Sequence, residues 1–201
     1  MVEIEKLNHS GFIIRGKSKT IIIDPYNIKT TEKADIILIT HPHFDHYSPR
    51  DIKRVKKKNS LVVMPSIQNN SNIGTKPTIL RQWGEIRESD INIKAVPSYN
   101  TDKDFHPKVS GWFGYVIDID NETIYHAGDT DLIKEMEKLG DITYAILPVG
   151  GKYTMNGKEA ARAVDIIRPE IAIPMHYGKV IGGYEDADDF CELCSCPVEI
   201  K

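Results

Sequence analysis

The sequence His41-Pro42-His43-Phe44-Asp45-His46 places four metal-ligating side chains within six residues, in the pattern H-x-H-x-D-H. Alternate residues of an extended segment point the same way, so His41 and His43 can bind one cation together. Asp45 and His46 lie in the turn beyond and can bind a second cation. Imidazole and carboxylate ligands suit zinc, with iron or manganese as alternatives. The motif therefore predicts a site for one or two divalent metal ions.

The motif stands between two predicted elements. Asp35 to Thr40 is an apolar run typical of a buried strand, and it ends at His41. Ser48 and Pro49 then begin a helix, as a capping residue followed by proline at the first helical position. We expect the basic run from Arg50 to Lys58 to be a solvated face of this helix. The histidines thus follow the end of a buried strand, where functional groups are commonly presented.

Strands and capped helices alternate along the rest of the chain. Short β-rich segments precede the motif, and the second half has a predicted hairpin followed by a helix from about Asp131 to Leu139. Asn156 caps a further helix, and the strand Ile171 to Met175 leads into His176. Such alternation indicates sheets covered by helices on their outer faces.

Length and composition are those of one soluble domain spanning residues 1–201. The formal charge of −3 argues against nucleic acid as a partner. No apolar run approaches the roughly 20 residues that a bilayer requires, and the N-terminus lacks a signal-peptide core, so we expect a cytoplasmic protein. The three cysteines, Cys191, Cys194 and Cys196, are expected to be reduced thiols beside a final strand.

These features make the chain resemble the metallo-β-lactamase superfamily. The resemblance extends from Asn8-His9-Ser10-Gly11 to Met175-His176-Tyr177-Gly178. It implies an α/β fold, the four-layer αββα sandwich, with a metal site between its sheets. The Asn-His-Ser opening and the Pro-Met-His-Tyr ending are most similar to the branch that contains ascorbate-phosphate lactonase and N-acyl phosphatidylethanolamine phospholipase D.

The resemblance assigns the ligands to two metals. It implies that His41 and His43 serve the first metal, and that Asp45 and His46 serve the second. His176, in Pro-Met-His-Tyr-Gly, would complete the second metal.

Two further aspartates match superfamily motifs. Asp129, in Ala-Gly-Asp-Thr, is expected to bridge both metals, and Asp24, in Ile-Ile-Ile-Asp-Pro, is expected to orient a ligand histidine through a hydrogen bond. Asp45 or Asp129 is the expected catalytic group, which would orient the nucleophile and accept a proton.

One superfamily motif is incomplete here. A further histidine for the first metal is expected just after a strand that ends in Val-Pro, but Asn100 stands at that place after Val96-Pro97. His106, six residues later, can supply an imidazole from the loop, and Asn100 can supply a carboxamide oxygen. An open or water-filled position is the third alternative.

Three other side chains are weaker candidates for substrate contact. His9 either lines the pocket or is a hydrogen-bonded structural histidine. Tyr153 lies with Lys152 and Thr154 in a glycine-hinged loop that either contributes substrate contacts or is a flexible turn. Tyr177 follows His176 and either donates to an oxyanion or packs.

The site predicts an enzyme. Bound metal lowers the pKa of water from about 15.7 to near 7, which supplies a metal-bound hydroxide at neutral pH. We expect a metal-dependent hydrolase, with zinc as the first choice of metal, that acts on a small ester, lactone or phosphodiester. The alternatives are a nuclease of the same superfamily and a non-catalytic metal-binding or sensor protein. The sequence leaves the oligomeric state open.

Overall fold

Each half of the chain folds around its own six-stranded mixed sheet. The computed structural model describes residues 2–67, 70–178 and 180–201. The chain divides into two units, Met1–Arg81 and Gln82–Lys201. A single domain over residues 1–201 stays a prediction.

The first sheet belongs to unit 1 and has the strand order β1-β2-β3-β4-β5-β6. The strands up to β3 pair antiparallel, and the pairs from β3 to β6 are parallel. The bounds of the strands are β1 Glu3–Asn8, β2 Gly11–Arg15, β3 Thr20–Ile23, β4 Ala34–Leu38, β5 Lys56–Met64 and β6 Thr78–Ile79. Helix α1 spans Pro49–Val55, and a 3-10 helix spans Asn70–Ile73.

Helix α1 covers one face of the first sheet. Its start is the predicted one, because the Ser48 side chain accepts a hydrogen bond from the Asp51 N–H. Ile52 and Val55 of the helix join a buried cluster with Ile37 of β4 and other apolar side chains of the sheet. The helix thus seals the apolar run that precedes the histidine motif.

The second sheet belongs to unit 2 and has the order β12-β11-β10-β9-β8-β7. The pairs from β7 to β10 are antiparallel, whereas β10, β11 and β12 are parallel neighbours. The bounds of the strands are β7 Glu85–Glu88, β8 Ile91–Pro97, β9 Phe113–Ile119, β10 Glu122–His126, β11 Tyr144–Pro148 and β12 Ile171–Met175. Helix α2 spans Gly157–Ile167, helix α3 spans Glu185–Leu193, and 3-10 helices span Lys108–Ser110 and Lys134–Lys138. Helix α2 packs against β11 and α3, and α3 also contacts β12.

Two local predictions were wrong. The predicted helix from Asp131 to Leu139 is only a short 3-10 helix, because the backbone and side chain of Asp131 bond to residues 99–103 instead of capping a helix. Helix α1 ends at Val55, so Lys56 to Lys58 begin β5 rather than extend the basic helix face.

The predicted final strand beside the cysteines is reduced to a single bridge, in which Val198 pairs parallel with Ala172 of β12. Cys191 lies in α3, whose first turn carries three acidic residues that suit a helix N-terminus. Burial raises the pKa of the Cys194 thiol to about 12, so this thiol stays protonated at neutral pH.

The described part of the chain forms no helix long and apolar enough to cross a membrane.

A capping box fixes the start of α2. The Asn156 side chain accepts from the Glu159 N–H at 2.9 Å, and the Glu159 carboxylate accepts from the Asn156 N–H at 3.0 Å. Asn156→Ala is expected to lower the free energy of unfolding by about 1 kcal/mol, because an orphan donor of the helix loses its acceptor. Denaturant unfolding measures this loss. Lys158→Ala, an exposed change in the same turn, should leave stability nearly unchanged.

Candidate functional site

The predicted site residues follow the ends of strands. In unit 1, Asp24 comes directly after β3, and His41 comes three residues after the end of β4. In unit 2, Asp129 follows β10 and His176 follows β12. Parallel neighbours end at the same edge of a sheet, so each sheet gathers its own set of polar side chains at one edge.

Asp24 is the centre of a buried hydrogen-bond network in unit 1. Its carboxylate accepts from the Thr40 N–H at 2.8 Å and from the Thr40 hydroxyl at 2.6 Å. His46 Nδ1 lies 2.8 Å from the same carboxylate. Asp24, Thr40 and His46 are all fully buried. The carboxylate is therefore positioned by both the strand end and the histidine motif.

This network sets the tautomers of two histidines. The Thr40 hydroxyl donates its one proton to Asp24, so it accepts from Nδ1–H of His41, 2.9 Å away. His46 likewise donates Nδ1–H to Asp24. In the neutral form of both rings Nε2 then carries the lone pair, which is the arrangement of a metal-ligating histidine with a carboxylate or hydroxyl behind it.

The rest of the motif surrounds these two rings. The His41 ring centroid is 4.6 Å from that of His43 and 4.0 Å from that of His46. Ligand atoms of Asp24, His41 and His46 lie within 4.8 Å of one another. Asp45 Oδ2 is 3.3 Å from His9 Nε2, and both residues are buried. The first ligand set, defined as His41, His43, Asp45 and His46, is thus gathered in unit 1 together with His9 and Asp24.

Backbone strain marks three of these positions. His9, Asp24 and His176 have φ of +50°, +44° and +58°, in the left-handed region that residues other than glycine rarely adopt. Such strained conformations persist only where contacts with the surrounding structure hold the backbone in place, and they are concentrated at functional sites.

The second ligand set, Asp129 and His176, lies in unit 2. His176 Nε2 is 3.0 Å from Asp129 Oδ2, and both side chains are buried. Two atoms that bind one zinc ion at about 2.0–2.1 Å in tetrahedral geometry lie roughly 3.3 Å apart. The separation in the structure is close to that of two ligands of one ion.

The 98–107 loop of unit 2 carries both candidates for the incomplete motif. The Asn100 N–H donates to the His106 carbonyl at 2.7 Å, and Asn100 forms a bridge with Pro107, so the loop turns back on itself. His106 is buried and its ring packs edge-on against Trp112. Asn100 Nδ2 donates to the Tyr153 carbonyl at 2.9 Å. Its Oδ1 is buried, with no hydrogen-bond partner among the described residues.

Asp131 holds the 98–107 loop in place. Its carboxylate accepts from the Thr101 N–H at 2.7 Å and from the Thr101 hydroxyl at 3.2 Å. Asn100 Nδ2 is 3.3 Å from the same carboxylate, and Lys103 Nζ is 2.5 Å away. The backbone of Asp131 adds a bond from its N–H to the Tyr99 carbonyl at 3.0 Å.

Tyr153 and Tyr177 belong to separate aromatic pairs. The Tyr153 ring packs edge-to-face on Phe105 with centroids 4.5 Å apart. Tyr177 is buried, and its ring centroid is 6.1 Å from that of Tyr184. Burial raises the pKa of the Tyr177 hydroxyl, which therefore remains a hydrogen-bond donor at neutral pH.

Sequence reasoning missed Thr40 and Asp131. Thr40 directly precedes His41, and Asp131 lies two residues after Asp129, so proximity to the motifs is the signal that could have found them. Thr40 acts through a contact with Asp24, which lies 16 positions away in the sequence, and Asp131 through a contact with Thr101, which lies 30 positions away. The pattern of residue types does not reveal contacts at such separations.

Comparisons with known proteins show the family to which the chain is similar. The profile of the β-lactamase superfamily domain, Lactamase_B_3, matches residues 3–176. A UPF0173 metal-dependent hydrolase of Thermococcus onnurineus is 37% identical, with 100% of this chain and 95% of that protein aligned. A crystal structure from Parabacteroides distasonis has a TM-score of 0.88 and 32% identity, over 100% of this chain and 92% of that chain. A metallo hydrolase from Ignicoccus hospitalis, Igni18, has a TM-score of 0.78 and 26% identity, over 100% and 94%.

The chain therefore belongs to the metallo-β-lactamase superfamily and, within it, to the UPF0173 family of metal-dependent hydrolases. The predicted metallo-β-lactamase fold is confirmed. The chain is a metal-dependent hydrolase, as predicted.

The residues present fit a divalent metal. Two imidazoles present Nε2 lone pairs because Asp24 and Thr40 accept their Nδ1 protons. Carboxylate oxygens of Asp45 and Asp129 each lie beside a histidine Nε2. Neutral nitrogen and anionic oxygen donors in a buried setting are those that zinc, iron and manganese accept.

Removal of the Asp131 carboxylate should loosen the 98–107 loop. Asp131→Ala leaves the Thr101 N–H and the buried Asn100 amide with fewer acceptors, so we expect a loss of about 1–3 kcal/mol in stability. Amide hydrogen exchange at Thr101 should accelerate as well. Asp104→Ala, an exposed carboxylate of the same loop, is the control and should change neither quantity.

Proposed function

We propose that this metal-dependent hydrolase acts on a small ester, lactone or phosphodiester, with one or two divalent ions of which zinc is the first candidate. The observation that carries the proposal is the Asp24 network, because it presents Nε2 of His41 and His46 as neutral ligands. Manganese and iron accept the same donors and are the alternative metals.

We propose further that ligands from both sets bind the metal. In this assignment His41 and His43 would hold one ion, and Asp45, His46 and His176 would hold the other. Asp129 would serve both ions. Membership of the superfamily supports the assignment, because all of these residues lie within the matched residues 3–176 and in segments that resemble superfamily motifs.

The chemistry of hydrolysis is divided between metal and protein. A divalent metal, when bound, would polarise a substrate oxygen and lower the pKa of water from about 15.7 to near 7. Asp45 and Asp129 are the buried carboxylates that can orient the attacking water and accept its proton. Tyr177 keeps its proton and can donate a hydrogen bond to the oxygen that becomes negative.

The resemblance to the branch of ascorbate-phosphate lactonase and N-acyl phosphatidylethanolamine phospholipase D remains part of the proposal. It supports the inclusion of lactones and phosphodiesters beside simple esters in a substrate panel. A formal charge of −3 favours small molecules over nucleic acid as substrates.

The test is turnover on that panel with the metal-loaded protein, before and after a chelator. Hydrolysis of at least one substrate class, abolished by the chelator and restored by zinc or manganese, is the expected result. Full metal occupancy without turnover of any of the three classes would contradict the proposed substrates.

His46→Ala should lower both bound metal and activity. The change removes one proposed ligand and leaves the buried Asp24 carboxylate without its imidazole partner. Elemental analysis of the purified variant measures the metal content. Phe44→Ala is the matched control, because Phe44 lies in the same motif, is 70% exposed and offers no ligand atom. Wild-type metal content in His46→Ala would remove this residue from the ligand set.

The incomplete motif is tested by a pair of variants in the 98–107 loop. If the His106 imidazole serves the first metal, His106→Ala should lose one metal equivalent, whereas Asn100→Ala should change stoichiometry little. The reverse result would assign the ligand to Asn100 Oδ1. Unchanged metal content in both variants would leave the first metal to His41, His43 and Asp129.

A further inference from the structure

Phe105 and Tyr153 form an aromatic pair on the surface of unit 2. Phe105 is 57% exposed, and its ring lies edge-to-face on Tyr153 at 4.5 Å and 79°. Single exposed apolar side chains are ordinary on protein surfaces. This pair differs from such single side chains in its position. Phe105 lies in the 98–107 loop beside the candidate ligand His106, and Tyr153 is itself a candidate for substrate contact.

Hydrogen bonds join the two loops that carry the pair. Asn100 Nδ2 donates to the Tyr153 carbonyl at 2.9 Å, which ties the 98–107 loop to the loop that carries Tyr153. The Asn100 N–H also donates to the carbonyl of His106, which is the residue next to Phe105. An apolar surface held in this way loses little conformational entropy when it binds a ligand.

A positive charge lies at one side of the pair. Lys152 Nζ is 5.1 Å from the centroid of the Tyr153 ring. Lys152 is exposed and has no carboxylate partner among the described residues, whereas Lys103 of the neighbouring loop is paired with Asp102 and Asp131. The ammonium group of Lys152 therefore remains available to an anion.

We propose that Phe105, Tyr153 and Lys152 form a recognition site for an anionic molecule with an aromatic or aliphatic group. The apolar group contacts the two rings, and the anion pairs with Lys152. This inference rests on the proposed function in one respect, since it makes such a molecule the substrate. His106 is adjacent to Phe105, so the site lies beside a candidate metal ligand.

The size of the surface favours a small molecule over a second copy of the chain. Two aromatic side chains offer at most roughly 300–500 Å² of contact area. A stable protein interface needs about 800 Å² from each partner. The positive charge of Lys152 also favours an anionic ligand over a purely apolar one.

Two fluorescent probes of the same shape test the proposal on the metal-loaded full chain. They are 1-anilinonaphthalene-8-sulfonate and its uncharged parent, N-phenyl-1-naphthylamine. Phe105→Ala should weaken the binding of both probes about tenfold, because the edge-to-face pair is lost. Lys152→Ala should weaken the binding of the sulfonate alone and reduce its dependence on salt.

Trp83→Ala supplies the matched control. Trp83 is 41% exposed, and Lys94 Nζ lies 5.4 Å from its ring centroid, so it has the same chemistry without the adjacent site residues. Its loss should leave both affinities unchanged, and circular dichroism should show native folding in all variants. Wild-type affinity for both probes in Phe105→Ala would overturn the proposal, as would an equal loss in Trp83→Ala.

Two further outcomes separate this inference from its alternatives. A wild-type dimer that becomes a monomer in Phe105→Ala, by sedimentation, would make the pair an interface between copies and would overturn the inference. The probe measurement needs no turnover, so it stands apart from the substrate panel. Probe binding lost in Phe105→Ala together with a silent panel would retain the recognition site and reject the proposed substrates.

Discussion

The buried carboxylate of Asp24 is the interaction on which the rest of the candidate site depends. A charge in this position is tolerable only with full hydrogen bonding, and Asp24 obtains it from the Thr40 N–H, the Thr40 hydroxyl and His46. The same bonds fix the tautomers and orientations of His41 and His46. Structural stabilisation and ligand preparation are therefore achieved by one set of contacts.

In both units the polar groups of the candidate site lie just after the ends of strands. Each sheet begins with antiparallel strands and ends with parallel ones, and the candidate ligands follow the parallel strands. A buried apolar strand cannot itself carry these charges, so they collect where the strand stops. In unit 2, Asp131 then adds the 98–107 loop to this edge and determines where Asn100 and His106 lie.

The sequence alone was sufficient to predict those elements that depend on residue types at short spacing. The buried strand before His41, the start of α1 at Ser48 and the capped start of α2 follow from residue types at short spacing. The superfamily followed from the motifs, and the comparisons confirm it. The short 3-10 helix at Lys134–Lys138 and the role of Asp131 could not be predicted, because distant backbone groups recruit that carboxylate. The strained backbone at His9, Asp24 and His176 is likewise set by tertiary contacts.

The metal affinity of Asp24→Asn, measured by competition with a chromophoric chelator, tests the central claim most directly. A carboxamide presents a donor where the network needs an acceptor, so His46 or Thr40 must change its hydrogen bonds. We expect metal to bind about 10–100-fold more weakly. Asp51→Asn, at another buried aspartate of unit 1 that bonds Ser48 and the Asn27 N–H, should leave the affinity unchanged. Wild-type affinity in Asp24→Asn would contradict the account.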